Sequence, residues 1–181
     1  SIIADSGDNP TAGGVGDRAD VLQAILKYNH DDSLFAGIAS KSAYDELKRG
    51  SEFSLGGTFG GGGPVLKLKA DSVYFKNHCA VVTISKTVIV ISKIRRPFHH
   101  LKDFTELNLD MKNFKILVVK SGYLSPELHS LSARSFLALT EGAVNQNLLV
   151  IENKKRHKKI YPFQDFNNFI PRVSDGESIV S

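Results

Sequence analysis

Cysteine is nearly absent: Cys79 stands alone in 181 residues. One thiol cannot close an intramolecular disulfide, so nothing in the chain asks for an oxidising compartment, and a cytoplasmic protein is expected. Placed in an apolar run, Cys79 reads as a small buried hydrophobe with no activating group beside it. Long apolar runs are missing as well. The longest, 80–84 and 87–91, are strand-sized and far short of the roughly 20 residues a bilayer span needs, which excludes a membrane-embedded chain. There is no H-E-x-x-H, no C-x-x-C and no Gly-Lys-Ser/Thr, so the common zinc, redox and NTPase signatures are excluded. No internal repeat or low-complexity block is visible. With 41% hydrophobic and 23% charged residues, the composition is that of a globular domain, not of a collagen, coiled coil or disordered chain.

The net charge of +4 is confined to one place. Lys154, Lys155, Arg156, Lys158 and Lys159 against Glu152 carry four net positive charges within residues 151–159, and the rest of the chain is balanced. Such a stretch could meet phosphates. It lacks interleaved aromatics, however, and reads as a solvated edge, so no nucleic-acid partner is expected.

Residues 1–5 read as a short buried strand at the very start of the chain, and an upstream region is expected before it. A loop rich in turn formers follows, Ser6-Gly7-Asp8-Asn9-Pro10-Thr11-Ala12-Gly13-Gly14-Val15-Gly16. Asp17 is placed to cap a helix over 18–28, in which Val21, Leu22, Ile25 and Leu26 share one face. Residues 34–39 predict a strand, and Ser40 caps a helix over 41–49 that Gly50 ends. Strand, helix, strand, helix predicts an α/β fold. Next comes Gly56-Gly57-Thr58-Phe59-Gly60-Gly61-Gly62-Gly63-Pro64, six glycines in nine residues, too dense for any regular element. Two-residue alternation over 65–75 and 79–84, with Ser85-Lys86 as a hairpin turn before 87–91, predicts antiparallel sheet. Further on, 98–107 contains a short helix and 114–119 is an apolar strand. Ser125 caps a helix over 126–134 with Pro126 at its first position, and 136–139 is another strand. The expectation is a single mixed α/β domain over 1–166 followed by a polar tail, 167–181.

Candidate chemistry is sparse. Gly14-Val15-Gly16-Asp17-Arg18-Ala19 fits the dinucleotide fingerprint, but the acidic residue expected about 20 positions on is missing, and Asp17 would compete with a phosphate. His99-His100 are adjacent and point apart. His30 with Asp31 and Asp32 reads as a helix end, and His129 and His157 are isolated, so neither a metal site nor a bound cofactor is expected in this chain. Lys120 and Ser121 stand at the carboxyl end of the 114–119 strand, where ligand contacts gather in α/β sheets; a plain turn at Gly122 is the competing reading.

The order of these pieces resembles the C-terminal domain of the microcystinase C (MlrC) family of zinc metallopeptidases. Asp8-Asn9-Pro10 with Gly13, Gly16 and Asp17 is similar to that family's Asp-Asn-Pro-Gly-Gly-Gly-x-x-Gly-Asp loop, with Thr11 and Ala12 in place of two glycines. Further matches are Leu55-Gly56-Gly57, Gly63-Pro64-Val65, Arg96-Pro97-Phe98, Val119-Lys120-Ser121-Gly122-Tyr123, Glu141-Gly142-Ala143-Val144-Asn145 and Ile160-Tyr161-Pro162-Phe163. The resemblance implies hydrolysis of peptide or amide bonds by a zinc held in a separate N-terminal domain, with no catalytic residue in this chain. That N-terminal catalytic domain would be the partner, and a peptide or small amide the substrate. Asp8, Asn9, Gly13, Gly16, Asp17, Lys120 and Ser121 are the residues expected to line or support the substrate site. An Asx-turn that merely shapes the loop is the other reading of Asp8 and Asn9. The alternative function is a non-catalytic binding module whose contact surface is 154–159.

Overall fold

Five of the described strands run parallel, and they set where the candidate site sits. In the computed structural model, which describes residues 1–28, 32–152, 155 and 163, these are β1 (Ile2–Asp5), β2 (Ser33–Ala39), β7 (Thr87–Ser92), β8 (Ile116–Val119) and β9 (Ser135–Ala138). With β5 (Ser72–Lys76) and β6 (Cys79–Ile84) they form a seven-stranded sheet in the order β5-β6-β7-β2-β8-β1-β9. The two added strands pair antiparallel with each other across Asn77-His78, and β6 pairs antiparallel with β7 through the hairpin turn at Ser85-Lys86. A small separate ladder joins β3 (Glu52–Leu55) to β4 (Leu66–Lys69), the ends of the glycine-rich stretch. The mixed α/β fold is as expected.

The helices are α1 (Asp20–Tyr28), α2 (Lys41–Leu47), α3 (Leu101–Thr105) and α4 (Pro126–His129). Side chains alternate across the sheet and so feed two cores. On one face Phe35, Ile38, Ile89 and Val118 pack with Leu22 of α1, Tyr44 and Leu47 of α2, and Phe53 and Leu55 of β3. On the other, Leu34, Val90, Leu117 and Val119 pack with Phe98, Phe104 and Leu128. Central strands buried on both faces read as continuous apolar runs, which is why β2 and β8 are so uniformly hydrophobic.

Several boundaries differ from the sequence reading. The alternating run 65–75 is two strands in two different sheets, broken between Lys69 and Ser72. Residues 126–134 are helical only as far as His129. Asp17 does not cap the first helix, which begins at Asp20; its carboxylate is instead turned toward the glycine-rich stretch, a tertiary contact that local capping rules do not see. Ser40 and Ser125 do cap, accepting from the backbone N–H of Ala43 and Leu128. His100 and Glu127 tie α3 to α4: His100 Nδ1 lies 3.1 Å from Glu127 Oε1, and the same carboxylate accepts from Leu101 N–H at 2.9 Å. The hydrogen bond to Glu127 pushes the His100 imidazole above its ordinary range, whereas burial lowers His99. Burial likewise raises the Cys79 thiol, in keeping with an inert core cysteine.

Residues Ser1–Gln146 form one compact unit, and a second spans Asn147–Ser181, in which Leu148–Val150 makes one 3-10 turn. His30 and Asp31, most of the basic stretch 154–159, His157, the boundary at 166 and the tail 167–181 lie outside the described residues. No described helix is long and apolar enough to cross a membrane.

Candidate functional site

The parallel strands end on one edge of the sheet, and their carboxyl ends deliver a set of buried polar groups there. Asp5 closes β1, Lys120 and Ser121 follow β8, Ser40 follows β2, and Thr140 comes two residues after β9. The 6–19 loop lies across them. Asp5, Asp8, Asn9, Asp17, Lys120 and Ser121 are all at most 2% exposed, a density of buried polar side chains that needs internal partners.

Lys120 sits at the centre. Its Nζ lies 2.9 Å from Asp5 Oδ2 and 3.7 Å from Asp8 Oδ2. Asp5 is further held by the hydroxyl of Thr140, which donates to Oδ1 and itself accepts from Gly7 N–H. Asp8 accepts two backbone N–H groups with its two oxygens, Gly16 at 2.9 Å and Arg18 at 2.8 Å. These are the amides that a nucleotide phosphate would use in a glycine loop before a helix. Here a resident carboxylate already takes them.

Asn9 shapes the loop's next turn. Its Oδ1 accepts from Ala12 N–H at 2.9 Å and Thr11 Oγ1 at 2.7 Å, and its Nδ2 donates to Ser6 O. It thereby caps a 3-10 turn, Pro10–Ala12, which Gly13 ends in the left-handed region. Gly16 has φ +80, and its carbonyl accepts from Ala39 N–H at 2.7 Å, tying the loop to the end of β2. Ser121 donates to Tyr123 O and receives nothing from the loop side chains, although its N–H binds Asp5 O at 3.2 Å.

Asp17 has different partners from Asp8. Its Oδ2 accepts from Phe59 N–H and its backbone carbonyl from Gly57 N–H. Next to it Arg18 grips Asp20 with Nε and NH2, reaches Gly61 O with NH1 and meets the exposed Glu141 with NH2. The Asp20 hydrogen bond holds the guanidinium more firmly protonated than usual.

The seven expected residues thus fall in one region; Asp8, Gly16 and Lys120 join Asp5 in one buried cluster, while the Asn9 side chain bonds within its own turn. Asp5, Arg18, Thr140 and the Ser40–Thr58 hydroxyl pair were not foreseen. Asp5 carried a signal: an acid ending one apolar strand and a lysine ending another, both at carboxyl ends, are natural partners. Thr140 carried none, since its partner lies 135 residues away, and of Arg18's contacts only the one to Asp20 is local, those to Gly61 and Glu141 spanning 43 and 123 residues. Among the described residues no three of His, Cys, Asp and Glu converge as metal ligands. The two carboxylates that do converge face an ammonium, so these residues do not fit a zinc ion.

A mixed, mainly parallel sheet with a buried polar cluster where its parallel strands end defines an α/β domain. A family model described as MlrC C-terminus matches residues 3–155, and the chain belongs to this family. A crystal structure described as a "Putative metallopeptidase" from Mesorhizobium sp. BNC1 superposes with a TM-score of 0.71 at 14% identity, over 96% of this chain and 38% of that one. At that identity the likeness is one of fold. The chain spans under two fifths of that protein's length. No curated protein matches.

Proposed function

We propose that this chain is the C-terminal domain of a cytoplasmic metal-dependent peptidase or amide hydrolase, supporting a substrate cleft whose zinc is held by an N-terminal domain. Family membership and the fold of the metallopeptidase neighbour support the class. The observation that carries the site is the buried Asp5–Lys120–Asp8 cluster, which pins the 6–19 loop to the ends of β1 and β8. A loop fixed this firmly at the carboxyl edge of a parallel sheet is a rigid wall, and a rigid wall can orient a peptide or amide against a reactive centre supplied from outside. The buried residues do not meet substrate directly; they position the loop backbone that does.

Asp8→Asn in the protein carrying both domains tests this. One of the two amide contacts is lost, the loop shifts, and turnover is expected to fall by about 10- to 100-fold, since a small misplacement costs that much, while bound zinc stays at the wild-type level. Unchanged turnover would make the loop purely structural, and loss of zinc along with turnover would place the metal's support here.

A further inference from the structure

The stretch between β3 and β4 is held in an unusual way. Its base is tied by Gly57 N–H to Asp17 O at 3.0 Å and by Thr58 Oγ1 to Ser40 Oγ at 3.2 Å. Beyond that, apart from a turn bond from Gly60 N–H to Gly57 O at 3.4 Å, residues 59–63 are tethered at two points, both on neighbouring residues of the first loop: Phe59 N–H on Asp17 Oδ2, and Gly61 O on Arg18 NH1 at 3.2 Å. Gly56, Gly57, Gly60, Gly62 and Gly63 all have positive φ, so the segment can be redirected with little backbone resistance. Gly61 lies so close over Asp17 that a methyl group there would collide with Oδ1.

That oxygen is buried and has no hydrogen-bond partner, although Asp17 is 0% exposed. A buried unpaired acceptor is unfavourable, and water would satisfy it if the stretch lifted. The closed arrangement therefore gains one charge-assisted hydrogen bond and bears one orphaned oxygen against it.

We propose that residues 59–63 form a flap that opens as a unit from Asp17 and Arg18, poised because its latching carboxylate is half satisfied when closed. Opening uncovers a carboxylate and a guanidinium side by side at the carboxyl edge of the sheet, with Phe59, already 45% exposed, at the flap's first position. That this gates a substrate rests on the hydrolase reading above; the opening itself does not.

Limited chymotrypsin digestion of the 181-residue chain, with cut sites read by mass spectrometry, tests the flap without any substrate. The rate of the cut after Phe59 is read beside the cuts after Tyr28 and Tyr123, which are exposed without any opening. Asp17→Ala leaves Phe59 N–H without its acceptor and should accelerate that cut by about tenfold or more, with hydrogen exchange of the β2 and β8 amides unchanged. Gly61→Ala, which forces the flap off Asp17, should do the same. Cleavage after Phe59 no faster in both variants than in the wild type would overturn the proposal, as would acceleration matched by faster exchange throughout the sheet.

Discussion

Lys120→Met should lower the melting temperature by roughly 10 °C. The substitution keeps the length and packing of the side chain but leaves Asp5 and Asp8 facing each other inside the protein without a counter-charge. Removing one partner of a buried ion pair costs about 3–5 kcal/mol, and each kcal/mol is worth about 2–4 °C in a chain of this size. Asp8 keeps its two backbone amides, and Asp5 keeps Thr140, so the loss falls chiefly on the charges and not on the hydrogen bonds. Adding Asp5→Asn to the same chain removes one of the stranded charges and should restore part of the lost stability, the two changes being strongly non-additive. Calorimetry of the single and double variants checks both statements. Additive losses would mean that Lys120 and Asp5 do not act as a pair.

Gly16→Val should be nearly as damaging, by about 2–4 kcal/mol. A β-branched residue at φ +80 is strained by about 1–2 kcal/mol, and its Cβ would stand 3.1 Å from Pro10 Cγ, an overpacked contact that adds about as much again. Gly16 cannot move away to relieve this. Its N–H is bound to Asp8 and its carbonyl to Ala39, so any shift breaks the loop's attachment either to the lysine cluster or to β2. Urea denaturation gives the value directly. A loss of under about 0.5 kcal/mol, the ordinary range for surface substitutions, would show that the loop yields at this point.

The parts of this fold that periodicity could reveal were those whose period is set locally. The amphipathic face of α1, the apolar run of β8 and the β6–β7 hairpin follow from side-chain alternation and a two-residue turn, and each lies close to where the sequence places it. What periodicity could not reveal was partnership. The run 65–75 alternates throughout, yet Ala70 and Asp71 divide it between two sheets, because alternation says which face a residue takes and not which strand it pairs with. Asp17 has the residue type and position of a helix cap, but its carboxylate is drawn 42 residues along the chain to Phe59. Lys120 was legible as a residue at a strand end, whereas its role became visible only when the sheet order put β8 beside β1 and brought Asp5, 115 residues away, within 2.9 Å. The glycine-rich stretch was legible as a loop, and its attachment to Asp17 and Arg18 was not, because glycines carry no side chain to announce a partner.

On the proposed function the metal and the bond-breaking step belong to an N-terminal domain, and this chain supplies the supporting wall. The most direct test is the zinc content of the purified 181-residue chain after dialysis, measured beside the same chain joined to its N-terminal domain, with peptide cleavage followed in both. Well under one equivalent of zinc and no cleavage above background are expected for the chain alone, and both properties together in the joined protein. Stoichiometric zinc on the 181-residue chain, lost when one of its histidines is replaced and accompanied by peptidase activity, would contradict that function.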